Sequence, residues 1–89
     1  MRILYAKKFE SDIDEIGNDL DIKKRLLEKI QELKRIGAFL EVKEIKKIAG
    51  YPGYYRIRIG DYRLGLKLTG DTLELIRFLH RKDIYRRFP

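Results

Sequence analysis

Residues 53–68, with the sequence GYYRIRIGDYRLGLKL, contain the pattern that decides the fold. Apolar and polar side chains alternate on both sides of Gly60 and Asp61, and this period of two predicts two antiparallel strands joined by a two-residue turn. The apolar face of this hairpin consists of Tyr55, Ile57, Ile59, Leu64, Leu66 and Leu68. The opposite face consists of Tyr54, Arg56, Arg58, Arg63, Gly65 and Lys67. The apolar face is therefore the side on which we expect the core.

The polar face of the hairpin brings basic residues together. If residues 60–61 form the turn, Arg58 lies opposite Arg63, and Arg56 lies opposite Gly65. Two arginines in this arrangement repel each other by a few tenths to about 1 kcal/mol, unless an anion such as a phosphate binds between them. A glycine within a strand often marks the close approach of a ligand or of another backbone segment. The pattern favours an anion site, and the alternative is a solvated face on which exposed arginines are ordinary.

The sequence after the hairpin continues the sheet. Gly70 and Asp71 predict a second tight turn, and residues 73–80 predict a third strand. This strand has apolar residues on both faces, so we expect it to be central and covered on both sides. Residues 84–88 fit either a final helical turn or a tail.

Two amphipathic helices are predicted before the hairpin, after a short strand at residues 2–6. Their apolar residues recur every three or four positions, which places them on one face of a helix. These stripes consist of Phe9, Ile13, Ile16 and Leu20 in the first helix and Ile22, Leu26, Ile30 and Leu33 in the second. Residues 17–19 interrupt the first stripe near Ile16. Asp19 or Asp21 can cap the second helix, and Gly37 is its predicted stop.

The order of strand, helices and β-meander defines the expected architecture. Helices and strands that are segregated along the chain are typical of the α+β class. We expect the N-terminal strand and the helical hairpin to pack on one face of an antiparallel sheet whose other face is open. Residues 39–48 fit either a strand or a helical extension. The 89 residues are enough for one core, so we expect a single domain, 1–89.

The charge of the chain is uneven. Lys and Arg number 21 against 14 Asp and Glu, a net charge of +7, and residues 50–89 alone hold 9 basic and 4 acidic side chains. An excess of this kind suits an anionic partner, with nucleic acid first and an acidic protein second, although solubility alone is the alternative.

Composition also excludes several classes of protein. Without Cys and with one His, neither disulfides nor a structural zinc site is expected. No apolar run approaches the roughly 20 residues that span a membrane, and the N-terminus lacks the pattern of a signal peptide. We therefore expect a cytoplasmic protein that makes no contact with a membrane.

Basic residues alternate with aromatic ones towards the C-terminus. RNA bases stack on aromatic rings while phosphates bind Arg and Lys, so this mixture favours RNA binding. The candidate RNA-binding residues are Lys67, Arg77, Lys82 and Arg86. The alternative is a charged tail that Ile84 and Phe88 anchor to the core, with Asp83 paired to a neighbouring arginine.

Two of these motifs together resemble the signature of the RelE/ParE toxin superfamily. They are residues 53–63 and the segment His80-Arg81-Lys82-Asp83-Ile84-Tyr85. The resemblance implies a RelE-like, microbial-RNase-like α+β fold and a toxin of a type II toxin–antitoxin system. It also implies an acidic, RelB-like antitoxin as partner. In the RelE branch the toxin cleaves mRNA on the ribosome without a metal or cofactor, whereas the ParE branch inhibits DNA gyrase.

The resemblance also implies a set of catalytic residues. By motif these are Arg56, Arg58, Arg63, Arg81 and Tyr85, and their presence favours the RelE branch. The family often has lysine where this chain has Arg56 and Arg58, and arginine is a poor base because it stays protonated above pH 12. We therefore expect a weaker enzyme, or a base supplied by the ribosome or by Tyr85, for which the alternative role is to orient the substrate.

His80 and the choice of branch leave alternatives open. His80 is a secondary catalytic candidate, and a structural histidine is the more ordinary reading of a single His at a strand end. The competing functions are a ParE-like gyrase inhibitor and a non-catalytic relative that binds RNA or an antitoxin.

Overall fold

A computed structural model describes residues 1–35 and 41–89. The elements are β1 (Arg2–Tyr5), α1 (Lys7–Ile16), α2 (Leu20–Arg35), β2 (Ile45–Lys47), β3 (Tyr54–Ile59), β4 (Tyr62–Thr69), β5 (Thr72–His80) and α3 (Arg81–Arg87). The strands form one sheet in the order β1-β5-β4-β3-β2. β1 is parallel to β5, and the other neighbours are antiparallel. The α+β class is confirmed, but β1 lies within the sheet as an edge strand and not on its face.

Local signals set the ends of the two long helices. α1 ends at Ile16, as predicted, and Gly17 turns the chain with a φ of 66°. The carboxylate of Asp19 accepts a hydrogen bond from the backbone N–H of Ile22 at 3.2 Å and so caps α2. Of the two predicted caps, the structure selects Asp19. None of the helices in residues 1–35 and 41–89 is long and apolar enough to cross a membrane.

The segment whose structure the sequence left open contains the other edge strand. Residues 45–47 form β2, which pairs with β3 and sets Lys46 opposite Arg56. Gly37, the predicted helix stop, and residues 39–40 lie outside the described residues. The strand alternative is therefore the correct one for residues 45–47.

The main hydrophobic core lies between the two long helices and the sheet. Its fully buried side chains include Leu33, Ile57, Leu64, Leu66, Leu73, Leu75 and Phe78. Burying one such side chain contributes about 1.5–3 kcal/mol, so this face of the hairpin is held firmly towards the helices. The arginine-bearing face consequently points outwards.

The opposite face of the sheet is partly covered, which corrects the expectation of an open face. α3 packs there through Ile84 and continues into Phe88, and both form a second buried cluster with Leu79. A Cβ atom added to Gly65 would lie 2.7 Å from ring carbons of Phe88. The predicted close approach at Gly65 is therefore that of the chain's own aromatic ring and not that of a ligand.

A buried ion pair joins α1 to β5. The guanidinium of Arg77 donates two hydrogen bonds to the Asp12 carboxylate, at 2.8 and 2.9 Å, and the backbone N–H of Phe78 donates a third at 2.9 Å. The hydrogen bonds from its guanidinium to Asp12 raise the pKa of Arg77 above its ordinary value, and the residue is only 7% exposed. A bulge in β5 accompanies this arrangement, since Gly65 pairs with Arg77 and Leu66 pairs with Leu75. Arg77 is therefore committed to the fold, which corrects its assignment to RNA binding.

Candidate functional site

The register of the β3–β4 hairpin is the predicted one. Ile59 pairs with Tyr62, Arg58 with Arg63, and Arg56 with Gly65. The turn at residues 60–61 begins with Gly60 at a φ of 59°, a conformation that favours glycine. The two arginines that face each other across the hairpin are thus held there by the backbone itself.

These arginines line a surface cleft of about 200 Å³, called the arginine cleft below. Its lining residues are Glu44, Ile45, Lys46, Arg56, Arg58, Arg63 and Tyr85. Four cationic side chains and one carboxylate therefore surround a space that is open to solvent. Such a cluster attracts a polyanion strongly, because guanidinium groups bind phosphate oxygens in a bidentate manner.

Arg63 is held in place before any ligand binds. Its Nη1 donates to the carbonyl oxygens of Gly60 at 3.1 Å and of Tyr62 at 3.0 Å. These bonds use one end of the guanidinium and leave the remaining N–H donors for an anion. A fixed guanidinium loses little conformational freedom on binding.

Tyr85 reaches the cleft from the other side, on α3. The guanidinium carbon of Arg56 lies 4.6 Å from the centre of the Tyr85 ring, a cation–π contact. Tyr85 is 60% exposed, although Ile84 beside it and Phe88 just after α3 are both buried. Helix α3 thus holds a solvent-accessible phenol against the arginines.

Glu44 and Lys46 also line the cleft, and the sequence pattern did not single them out. The backbone oxygen of Glu44 accepts a hydrogen bond from the Arg58 N–H at 3.0 Å, and its carboxylate lies 4.0 Å from the Arg58 guanidinium. Glu44 has a φ of 66°, which is uncommon for a residue other than glycine and costs about 1–3 kcal/mol. The sequence allowed a strand in this segment, and pairing residues 44–46 with β3 would have placed Lys46 on the same face of the sheet as the arginines.

The remaining predicted site residues lie outside the lining of the arginine cleft. Arg81 begins α3 with an exposed side chain, and its backbone N–H donates to the carbonyl of Asp61 at 2.7 Å. Lys82 is exposed, and the ammonium of Lys67 lies 5.2 Å from the centre of the Tyr54 ring.

Two further predicted residues have partners within α3 or at its start. Arg86 forms an ion pair with Asp83 at 2.9 Å, as the sequence suggested. The Nδ1 atom of His80 accepts a hydrogen bond from the Lys82 N–H at 3.2 Å, so His80 caps α3. Its ring lies edge-on to Tyr62 at 5.6 Å, an arrangement typical of a structural histidine. The structure therefore brings together Arg56, Arg58, Arg63 and Tyr85 out of the larger predicted set.

Comparisons with known proteins agree with this architecture. A family model described as the ParE toxin of type II toxin–antitoxin systems matches residues 3–85. The chain is 43% identical to Toxin RelE3 of Methanocaldococcus jannaschii over 90 residues, which span 100% of both proteins. The fold is similar to a chain in the crystal structure of the RelB-RelE antitoxin-toxin complex from Methanococcus jannaschii, with a TM-score of 0.80 and 44% identity over 97% of this chain and 99% of that chain. It also resembles the YoeB dimer from Staphylococcus aureus, with a TM-score of 0.72 and 20% identity over 90% of this chain and 95% of that chain.

Proposed function

The chain belongs to the RelE/ParE superfamily and is a RelE-like toxin of a type II toxin–antitoxin system, and from this premise we propose that it is a ribosome-dependent endoribonuclease that cleaves mRNA in the arginine cleft. The observation that carries the proposal is the pairing of Arg58 with Arg63 beside Arg56, Lys46 and Tyr85. A sheet selected for stability alone would not set two arginines opposite each other. A phosphate between them removes the repulsion, and RNA supplies that phosphate.

The reaction is an attack of the neighbouring 2′-OH on the scissile phosphate. The 2′ oxygen loses its proton to a base and forms a bond to phosphorus. The bond from phosphorus to the 5′ oxygen breaks, and that oxygen takes up a proton from an acid. The products are a 2′,3′-cyclic phosphate and a free 5′-hydroxyl. Arg58 and Arg63 stabilise the additional negative charge on the phosphate in the transition state.

Glu44 is the group in the cleft that is best suited to accept the proton. A carboxylate accepts hydrogen bonds and protons, whereas the guanidinium groups around it have only N–H donors and no acceptor. Its position 4.0 Å from Arg58 places it beside the proposed phosphate site. Lys46 is the cleft cation whose ammonium can release a proton to the leaving oxygen, and Tyr85, stacked with Arg56, orients the substrate. This assignment supplies the base that arginines at positions 56 and 58 cannot provide.

The proposed partners are the ribosome with its mRNA and an acidic, RelB-like antitoxin, all in the cytoplasm. A shallow apolar groove of about 220 Å³ lies between α1 and α2 and supports the antitoxin as a partner. Leu27, at its rim, is 55% exposed, and Leu20, just before it on the same helix, is 74% exposed. Such exposed side chains, on a chain with a net charge of +7, fit an acidic protein segment with an apolar stripe.

The test of the proposal is cleavage of mRNA on programmed ribosomes. Arg63→Ala is expected to reduce the cleavage rate by about 100-fold or more, because removing one charge-stabilising donor of this kind costs about 10²–10³ in rate. Arg2→Ala is the matched control, since Arg2 is exposed on β1 at the far edge of the sheet. Full cleavage by Arg63→Ala, with native folding, would overturn the proposal.

The match to a ParE family model favours gyrase inhibition as a second candidate. A supercoiling assay with the purified chain distinguishes the two functions. Inhibition of supercoiling that survives Arg63→Ala, together with intact mRNA on ribosomes, would select the second candidate.

A further inference from the structure

A second cleft shares a wall with the arginine cleft. It has a volume of about 380 Å³, lies against α2 and the end of β3, and is called the α2 cleft below. Its lining residues are Arg25, Glu28, Lys29, Glu32, Lys43, Glu44, Arg58 and Ile59. Glu44 and Arg58 line both clefts, so the two spaces meet at this pair of side chains. The α2 cleft is therefore the space that a chain-like ligand would reach on passing Glu44 and Arg58 from the arginine cleft.

The charged side chains that line the α2 cleft are only partly paired with one another among the residues that the structure describes. Glu32 is paired with Lys29 at 2.9 Å, and the carboxylate of Glu44 lies 4.0 Å from Arg58. In residues 1–35 and 41–89, by contrast, the side chains of Arg25 and Lys43 form no hydrogen bond or ion pair, and neither does the third lining carboxylate, that of Glu28. Two cations are thus available to a ligand in a cleft that adjoins the arginine cleft.

Arg25 is also positioned by the turn that carries the arginine pair. A Cβ atom added to Gly60 would lie 2.6 Å from Nη1 of Arg25, so the guanidinium rests directly against the glycine. The carbonyl of the same glycine accepts the hydrogen bond that holds Arg63. Arg25 and Arg63 therefore approach one turn from different sides, and the absence of a side chain at Gly60 makes room for Arg25.

We propose that the α2 cleft binds the phosphate of a nucleotide adjacent to the scissile one, with Arg25 and Lys43 as its cations. The inference rests on the proposed function, because it takes the RNA from the arginine cleft as its ligand. Neighbouring phosphates of one strand repel each other, and each attracts cations of its own. The two clefts on either side of Glu44 and Arg58 provide a separate set of cations for each phosphate. The bound phosphate fixes the register of the RNA, so that the scissile bond lies at the arginine pair.

Binding of a labelled single-stranded RNA measured at several salt concentrations tests this subsite. The probe is a fluorescein-labelled oligoribonucleotide in which every 2′-OH is methylated, so that it cannot be cleaved. Arg25→Gln is expected to weaken binding about five- to tenfold and to reduce the slope of log K against log salt by about 0.7, the value for one phosphate contact on a single strand. Lys24→Gln is the matched control, because Lys24 is exposed on the same helix and does not line the α2 cleft.

Shortening the probe locates the adjacent nucleotide. The probe is shortened by one nucleotide at the 5′ end or at the 3′ end. Shortening at the end that occupies the α2 cleft is expected to weaken binding to the native protein but not binding to Arg25→Gln. The end at which this happens shows whether the 5′ or the 3′ neighbour of the scissile phosphate is bound. Lys43→Gln provides a second variant should Arg25→Gln lower the melting temperature, and Arg25→Lys is expected to restore the salt slope.

The outcomes separate the subsite from the proposed function. If Arg25→Gln and Lys43→Gln both match Lys24→Gln in affinity and slope, the subsite is overturned, while the loss of cleavage in Arg63→Ala still supports the enzyme. If the native protein neither binds the probe nor cleaves mRNA, both proposals fail together. An equal loss of affinity in Lys24→Gln and Arg25→Gln would indicate a general effect of charge and would also overturn the subsite.

Discussion

Replacing Gly65 with alanine is expected to push α3 away from the sheet and to inactivate the arginine cleft while the core stays folded. The new methyl carbon would lie 2.7 Å from ring carbons of Phe88, whereas non-bonded carbons prefer about 3.5–4.0 Å. Phe88 must therefore leave its buried position. Because Tyr85 lies on the same short helix, it would lose its contact with Arg56.

The size of the effect follows from two opposing terms. Overpacking a well-packed site costs about 1–3 kcal/mol. Replacing glycine by alanine within a strand offsets about 0.5–1 kcal/mol of that cost. We expect a net destabilisation of about 1–2 kcal/mol, which lowers the melting temperature by about 4–8 °C for each kcal/mol in a domain of this size.

Thermal unfolding and mRNA cleavage on ribosomes are the two measurements. Gly70→Ala is the control for lowered stability, because Gly70 has a φ of 61° with no atoms within 4 Å of an added Cβ. It is expected to lower the melting temperature and to leave cleavage intact. The double variant Gly65→Ala with Phe88→Leu, which makes room for the methyl group, is expected to recover part of the activity. Native cleavage by Gly65→Ala, or no recovery in the double variant, would show that α3 does not position Tyr85 in this way.

Two other predictions concern buried charge and backbone strain. Asp12→Ala leaves the Arg77 guanidinium buried without its partner, so the free energy of unfolding in urea is expected to fall by about 3–5 kcal/mol. The double variant Asp12→Ala with Arg77→Met is expected to regain most of that loss. A loss below about 1 kcal/mol in Asp12→Ala would contradict the structural role of the pair. Glu44→Gly removes the strain of the positive φ and is expected to raise the free energy of unfolding by about 1 kcal/mol while abolishing cleavage. Glu44→Gln keeps the strain, so it is expected to lose cleavage without any gain in the free energy of unfolding. Cleavage by both variants would exclude Glu44 as the base.

The parts of the site that local sequence specifies were predictable. Glycine followed by aspartate between alternating apolar residues determines the turn at residues 60–61, and the turn determines the pairing of Arg58 with Arg63. The helix stripes and the Asp19 cap depend on spacing alone in the same way. The assignment of catalytic roles within this register stays a prediction.

The parts that depend on distant contacts were not predictable. Arg77 looks like one more basic residue near the C-terminus, and its partner Asp12 is 65 positions away on a helix whose sequence gives no sign of the pair. Gly65 indicated the close approach of a ligand or of another backbone segment, and nothing local indicates that α3 folds back to place the Phe88 ring there. The positive φ of Glu44 is likewise set by how β2 enters the sheet and not by the residue type.

The parallel pairing of β1 with β5 has a consequence for how the protein is made. Arg2 pairs with Thr72 and Tyr5 with Leu75, so β1, which precedes β2 to β5 in the chain, stays unpaired until β5 has been synthesised. Contacts of such long range form slowly, because the loop between them must close first. The two long helices precede β3 and β4 in the chain, and α3 with Tyr85 follows last. The arginine cleft, which needs β2, β3, β4 and Tyr85 of α3, can therefore assemble only after nearly all of these elements have been synthesised.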